Sequence, residues 1–226
     1  MVKERPMIHW ENIDTVLLDM DGTLLDLYFD NYFWLHYLPE QFAIARHISI
    51  DTAKSQLMHD FRQHHGTLNW YCLDFWSSAL GLDVAALKEN VRHMIAPRPY
   101  AIEFLQAVKA SGRQCVLCTN AHRASLNLKL KETRIDLHLD ALISSHDYRM
   151  PKEDIRFWDA LRADIHFDPA RTLLIDDNAA VLNSARQAGI GHLLGIKRPD
   201  SQQPEISYDD YIALDDFRDI FPPAVN

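Results

Sequence analysis

Asp19 and Asp21 stand two positions apart in Leu18-Asp19-Met20-Asp21-Gly22-Thr23, and Asp176-Asp177 form a second carboxylate pair far along the chain. Between the pairs lie Thr119-Asn120 and a lysine, Lys152. Carboxylates brought together repel one another and tend to protonate unless a cation relieves them. A hard divalent ion with oxygen ligands does so, and Mg²⁺ commonly combines one or two carboxylates with a substrate phosphate. Asp19, Asp21, Asp176 and Asp177 are therefore candidate metal residues, with Lys152 supplying further positive charge. An ionised Asp19 can attack phosphorus and form an aspartyl-phosphate. Asp21 can protonate the leaving oxygen and later deprotonate water. Gly22 permits a tight turn that leaves amides near an anion, and Thr23, Thr119 and Asn120 offer polar groups to the phosphate oxygens. Each motif alone has an ordinary explanation as a turn, a solvated charge or a helix cap. Their joint occurrence asks what could bring them together.

Five short apolar runs supply an answer: Thr15–Asp19, Gln114–Thr119, Ala141–Ser145, Thr172–Asp176 and His192–Ile196. Such nearly continuous runs suit strands buried on both faces of a parallel sheet. Helical patterns over Ala101–Ala110, Ser125–Thr133, Glu153–Arg162 and Ala179–Ala188 alternate with them, which predicts a doubly wound α/β fold. All the motifs then fall at or just after strand C-termini, where open α/β sheets bind ligands. Nearly a hundred residues separate the first strand from the second, far more than one crossover needs. Residues 26–97 read as an inserted helical cap on a core of 1–25 and 98–226, with hinges near Leu25–Leu27 and Ala96–Tyr100. Asp51 and Asp83 are expected to cap two of its helices.

These motifs, in this order, resemble those of the haloacid dehalogenase-like superfamily of phosphohydrolases: Asp19-x-Asp21-Gly22-Thr23, Thr119, Lys152 and Asp176-Asp177. The resemblance spans the whole core, and the insertion resembles the superfamily's helical cap of the first type. It implies a Mg²⁺-dependent phosphomonoesterase in which the Asp21 backbone carbonyl also ligates the metal and Asp177 is a direct ligand. In the family the motif lysine is often followed by proline; here Pro151 precedes it and Glu153 follows. Asp21 speaks against dehalogenation, because a departing halide needs no proton.

Selectivity must come from the insertion. Its aromatics at helical spacing (Phe29 and Phe33, Tyr71 and Phe75) read as helix-pair core. Asn31, Trp34, Asn69 and Trp70 offer amides and aromatic faces suited to a flat, hydrogen-bonding base. The runs Phe29-Asp-Asn-Tyr-Phe-Trp34 and Thr67-Leu-Asn-Trp-Tyr-Cys-Leu-Asp74 resemble the bacterial GMP/IMP nucleotidase branch of the superfamily, which implies a purine nucleoside 5′-monophosphate as substrate. His122 follows Thr119-Asn120 closely enough to touch the site; the other histidines outside the His64-His65-Gly66 turn read as surface or satisfied core without metal-ligand spacing.

Composition fits this reading. Hydrophobic residues are 47% and charged residues 24% of 226, which excludes wholesale disorder. Lys plus Arg at 23 against Asp plus Glu at 32 gives −9, a poor match for nucleic acid. No apolar run reaches signal-peptide or membrane-span length, so a cytoplasmic protein with no membrane partner is expected. Cys72, Cys115 and Cys118 form no disulfide framework; Cys115 and Cys118, three apart on a strand, point to opposite faces. Sugar-phosphate phosphatases, phosphomutases and, outside enzymes, a phosphate-binding interaction module are the rival readings.

Overall fold

The computed structural model describes residues 8–223. Six parallel strands form one sheet: β1 Thr15–Leu18, β2 Gln114–Thr119, β3 Ala141–Ser144, β4 Thr172–Ile175, β5 His192–Ile196 and β6 Ile212–Leu214. Their spatial order is β3-β2-β1-β4-β5-β6, so β1 lies mid-sheet with β2 on one side and β4 on the other. The chain order reverses across β1, and the ends of β1 and β4 open the crevice where such sheets bind ligands. The doubly wound fold is as expected; β6 is the strand that the apolar runs did not reveal, being a three-residue edge with Ile212 exposed.

Burial on both faces explains why the strands read as continuous apolar runs. Val16, Leu18, Leu117, Leu173 and Ile175 pack into one core layer, while Leu17, Val116 and Leu174 pack into the other. Cys115 and Cys118 fall into opposite layers, as an odd spacing on a strand requires. Both thiols are free, and burial pushes each up to about 12, so they stay protonated.

Between β1 and β2 the chain runs through helices α1 Tyr28–Tyr32, α2 Leu38–Arg46, α3 Ile50–His64, α4 Leu68–Tyr71, α5 Leu73–Leu80, α6 Val84–Asn90 and α7 Ala101–Ala110. A π-helical segment, Phe33–Tyr37, joins α1 to α2. Helices α1 to α6 share an apolar cluster built on Phe29, Phe33, Phe61, Leu73 and Trp76. The expected cap of α3 shifts by two residues: the Ser49 side chain, not Asp51, accepts from the Thr52 amide, because Ser49 is the last extended residue before the helix. Asp83 does cap α6 through the Ala86 amide. The two connections into the core lie side by side. Leu25 bridges Pro97, the Asp26 amide donates to the Ala96 carbonyl at 2.9 Å, and the Arg98 amide donates to Leu24 at 2.8 Å.

The remaining helices are α8 Arg123–Thr133, α9 Ser145–Tyr148, α10 Ile155–Ile165 and α11 Ala179–Gln187. Helices α8 and α11 begin a short loop after β2 and β4, α9 follows β3 directly, and α10 follows the lysine motif. Among the described residues no helix is long and apolar enough to cross a membrane.

Candidate active site

Lys152 organises the crevice. Its Nζ donates to Asp19 Oδ1 at 2.5 Å, to Asp176 Oδ2 at 2.7 Å and to the Cys118 carbonyl at 3.0 Å. All three side chains are nearly sealed from solvent, at 2% exposure for Lys152, 6% for Asp19 and 1% for Asp176. An amine this deep must be paired, and the two carboxylates hold it well above its ordinary range against the opposing effect of burial. The sequence reason for its position is Asn120, whose Oδ1 accepts from the Lys152 amide at 2.9 Å and so ties the lysine loop to the end of β2.

Carboxylate oxygens of Asp19, Asp176 and Asp177 lie within 4.8 Å of one another. One lysine cannot balance three carboxylates. Burial, opposed by Lys152 and aided by Asp176, raises Asp19 to about 6, and burial together with Asp19 and Asp176 drives Asp177 well above the carboxylate range. Such a set has the oxygen chemistry and the excess negative charge that fit a hard divalent cation.

Gly22 makes room for the set. It sits at φ +82°, and a Cβ built there would lie 2.7 Å from Asp177 Cγ and 3.1 Å from Pro199 Cβ. Gly22→Ala therefore meets both backbone strain of about 1–3 kcal/mol and a clash with Asp177. The expected result is a protein that still folds but loses at least about tenfold in divalent-cation affinity, a factor worth 1.4 kcal/mol and within that strain. Unchanged affinity in a magnesium titration would refute this role.

Asp21 does not join the cluster. Its carboxylate pairs with Lys129 of α8 at 2.6 Å, and Lys129 also pairs with Asp30 of α1 at 2.6 Å. Asp30 in turn pairs with Lys88 of α6 at 2.5 Å. The chain Asp21–Lys129–Asp30–Lys88 thus joins the β1 loop, the helical insertion and α8, with Lys129 at 1% and Lys88 at 2% exposure. Burial raises Asp21 to about 6 despite Lys129, whereas Asp30, although buried, is held at about 2 by Lys129 and Lys88. A carboxyl near 6 can both give and take a proton near neutral pH.

Thr119 and Asn120 line the same cavity as these groups, together with Lys152. Thr23 is fully buried, lies outside that lining, and its hydroxyl has no hydrogen-bond partner. The cavity holds about 490 Å³, within the range that takes small organic ligands. Its far wall comes from the insertion: Trp34, Phe61, Trp70 and Trp76 present aromatic faces, with Asn31 beside them. Asn31 Nδ2 is engaged with Asp200 at 2.7 Å, leaving its oxygen. Asn69 is exposed and does not line the cavity. The helical turn of α4 carries Trp70 and Tyr71 inward and so turns Asn69 out, which corrects the expectation that it meets the substrate.

Glu153, where the resembling family often has proline, accepts from Tyr71 OH at 2.6 Å, Asn120 Nδ2 at 2.9 Å and Asn178 Nδ2 at 3.3 Å. It therefore ties the insertion to two strand-end loops. Glu153, Tyr71, Asp30, Lys88 and Lys129 were all absent from the sequence-based candidates. A signal existed for two of them: Lys88 lies four residues after buried Val84, and Lys129 three after buried Leu126, so both occupy apolar helix faces.

Known proteins resemble the chain in sequence and in fold. Residues 13–189 match the family model described as haloacid dehalogenase-like hydrolase. The chain is 45% identical over 215 residues to GMP/IMP nucleotidase YrfG of Escherichia coli (strain K12), covering 95% of this chain and 97% of that protein. Among solved structures, a HAD phosphatase from Thermococcus onnurineus superposes with a TM-score of 0.75 at 20% identity, covering 89% and 93% of the two chains. The L-2-haloacid dehalogenase from Xanthobacter autotrophicus superposes at 0.59 with 17% identity, covering 82% and 78%. At such identities the structural matches speak for the fold.

Proposed function

The chain belongs to the haloacid dehalogenase-like hydrolases, and on that premise we propose that it is a magnesium-dependent phosphomonoesterase acting on 6-oxopurine nucleoside 5′-monophosphates. The observation that carries the reading is the arrangement of Lys152, Asp19, Asp176 and Asp177 on the floor of a cavity with aromatic walls. The relative that covers nearly the whole chain acts, by its name, on GMP and IMP.

Asp19, Asp176 and Asp177 would hold Mg²⁺, which when bound neutralises charge on the phosphate oxygens. Lys152 and Thr119 hold the transferring phosphoryl group against Asp19. Asp19 attacks phosphorus, the ester oxygen leaves, and Asp21 gives that oxygen its proton. Asp21 then takes a proton from the water that attacks the aspartyl-phosphate, and inorganic phosphate departs. The raised pKa of Asp21 suits both transfers. Residues 26–97 act as a cap whose paired connections at Leu25 and Pro97 serve as hinges, and closure excludes bulk water from the reacting groups.

A purine is the ligand these walls suit: indoles of Trp34 and Trp70 offer stacking faces, and the free Asn31 oxygen an acceptor. An acceptor favours the N1–H and, in GMP, the 2-amino group, both donors that the 6-oxopurines carry at this edge. AMP, with no hydrogen on N1, leaves that acceptor less well matched, at a cost of about 1–3 kcal/mol.

The test is a phosphate-release panel of IMP, GMP, AMP, pyrimidine monophosphates and hexose phosphates, with Mg²⁺ and with excess chelator. IMP and GMP should lead in kcat/KM by about tenfold or more over AMP, and chelation should silence all of them. A hexose phosphate that outperforms IMP tenfold would overturn the nucleotide assignment. Full turnover in chelator would overturn the metal assignment. A phosphomutase would release no phosphate, and a binding module would turn over nothing.

A further inference from the structure

We propose that Cys72, His122 and His146 form a second metal site, selective for a borderline-soft cation of the zinc class, that pins the helical insertion to the core. One ligand atom from each of the three side chains lies within 4.8 Å of the others. Cys72 belongs to the insertion, at the N-terminus of α5; His122 precedes α8 and His146 lies in α9, both from the core. The sequence reading treated these histidines as unconnected. The fold brings them together because α8 and α9 start beside one another, after adjacent strands β2 and β3.

The nitrogens available are identifiable. His122 Nδ1 accepts from the Ala124 amide at 3.4 Å, which leaves its Nε2 facing outward from the helix cap. His146 Nε2 is buried and has no hydrogen-bond partner. A buried ring nitrogen without a partner is uncommon unless something is meant to fill the position. Burial, with His122 beside it, holds His146 near 4, so the imidazole is neutral and its lone pair is free at physiological pH. The two rings meet edge to face with centroids 5.1 Å apart.

One thiol sulfur and two imidazole nitrogens are the donor set that zinc prefers and that Mg²⁺ avoids. In a tetrahedral zinc site such donors sit about 3.3–3.6 Å apart, so small side-chain rotations close the present set. Asp74 lies beside the set, its Oδ2 3.6 Å from His122 Nε2, and water can complete a tetrahedron. On binding, the Cys72 sulfur bonds the metal and its proton leaves to solvent. The buried thiols of Cys115 and Cys118 do not compete, being in the sheet. The site is separate from the carboxylate cluster in both residues and chemistry.

Its position gives it a consequence. His122 also lines the active-site cavity. A metal bonded at once to Cys72 on the insertion and to two core histidines would hold that cavity closed and slow substrate entry and product release. Ligation stands on the three side chains; the effect on turnover rests on the hydrolase reading.

The experiment uses the full chain saturated with Mg²⁺ and titrated with Co²⁺ as a spectroscopic probe, then with Zn²⁺. Wild type should bind one Co²⁺ with a thiolate-to-cobalt charge-transfer band, which Zn²⁺ abolishes. Cys72→Ser should lose the band, and His146→Gln should weaken Zn²⁺ binding on the order of 100-fold or more, since losing a ligand costs at least what losing an outer-shell partner does. Both variants should keep wild-type phosphate release without zinc, while micromolar zinc that inhibits wild type in excess Mg²⁺ should leave them active. Melting curves matching wild type establish that the variants fold. No charge-transfer band in wild type, or equal zinc affinity in wild type and a folded Cys72→Ser, would overturn the site. A zinc site with no inhibition would overturn the locking role alone, and inactivity of every protein toward phosphate esters would overturn the hydrolase reading instead.

Discussion

Asp19→Asn should lower phosphate release by at least about 10³-fold while leaving the fold intact. An amide nitrogen is no nucleophile toward phosphorus, and its oxygen cannot form the acyl-phosphate that the mechanism passes through. The substitution is gentle on structure, because the asparagine oxygen can still accept from Lys152, now 2.5 Å from Asp19 Oδ1. It also removes one of three crowded carboxylates, whose repulsion adds to burial in holding Asp177 well above its usual range. Phosphate release over a time course, beside a melting curve, checks both halves. Substantial turnover by purified Asp19→Asn would end the covalent mechanism. Loss of turnover together with loss of the folded transition would show that Asp19 acts through stability.

The second large effect is expected on stability. Lys129→Met should destabilise the protein by about 3–5 kcal/mol, the usual result of leaving a buried ion pair without its partner. Among the described residues Lys129 is the one cation paired with Asp21, and it shares Asp30 with Lys88. Methionine matches its length but leaves both carboxylates facing an apolar group. For a chain of this size the melting temperature should fall roughly 6–20 °C. Adding Asp21→Asn to Lys129→Met should recover part of the loss, because Asp21 is the carboxylate left without its lysine while Asp30 keeps Lys88, and a double-mutant cycle measures that coupling. Activity should change with pH as well. Lys129 opposes the burial that raises Asp21 to about 6, so without it the Asp21 pKa rises further. The limb of the kcat profile that reports Asp21 should therefore move to higher pH. A melting temperature within a degree of wild type would refute the buried network as a structural element.

The same network marks the boundary between what could be read along the chain and what could not. The strands were legible because β1, β2 and β4 are covered on both sides, so their residues are apolar without interruption. Their ends were legible because strand, turn and helix N-terminus place Asp19, Thr119 and Asp176 at one edge of a parallel sheet whatever the details of packing. The exposed three-residue edge β6 escaped for the opposite reason: it has too little buried surface to impose a pattern. Asn69 was misplaced because α4 is a single helical turn, and which of its residues faces inward depends on packing against the neighbouring helices.

By itself the sequence determined the parallel α/β core, the helical character of the long segment between β1 and β2, and the carboxylates and lysine that gather at the strand ends. These follow from local patterns, since side-chain alternation, helix periodicity and turn chemistry each act over a few residues. Tertiary structure alone decided that Lys129 stands between Asp21 and Asp30, that Tyr71 meets Glu153, and that Cys72 reaches His122 and His146. Asp30 and Lys129 are 99 positions apart, and Tyr71 and Glu153 are 82. No periodicity couples residues at such separations. Only the docking of the insertion onto the core brings them within a hydrogen bond, and burial then obliges each charge to find its partner.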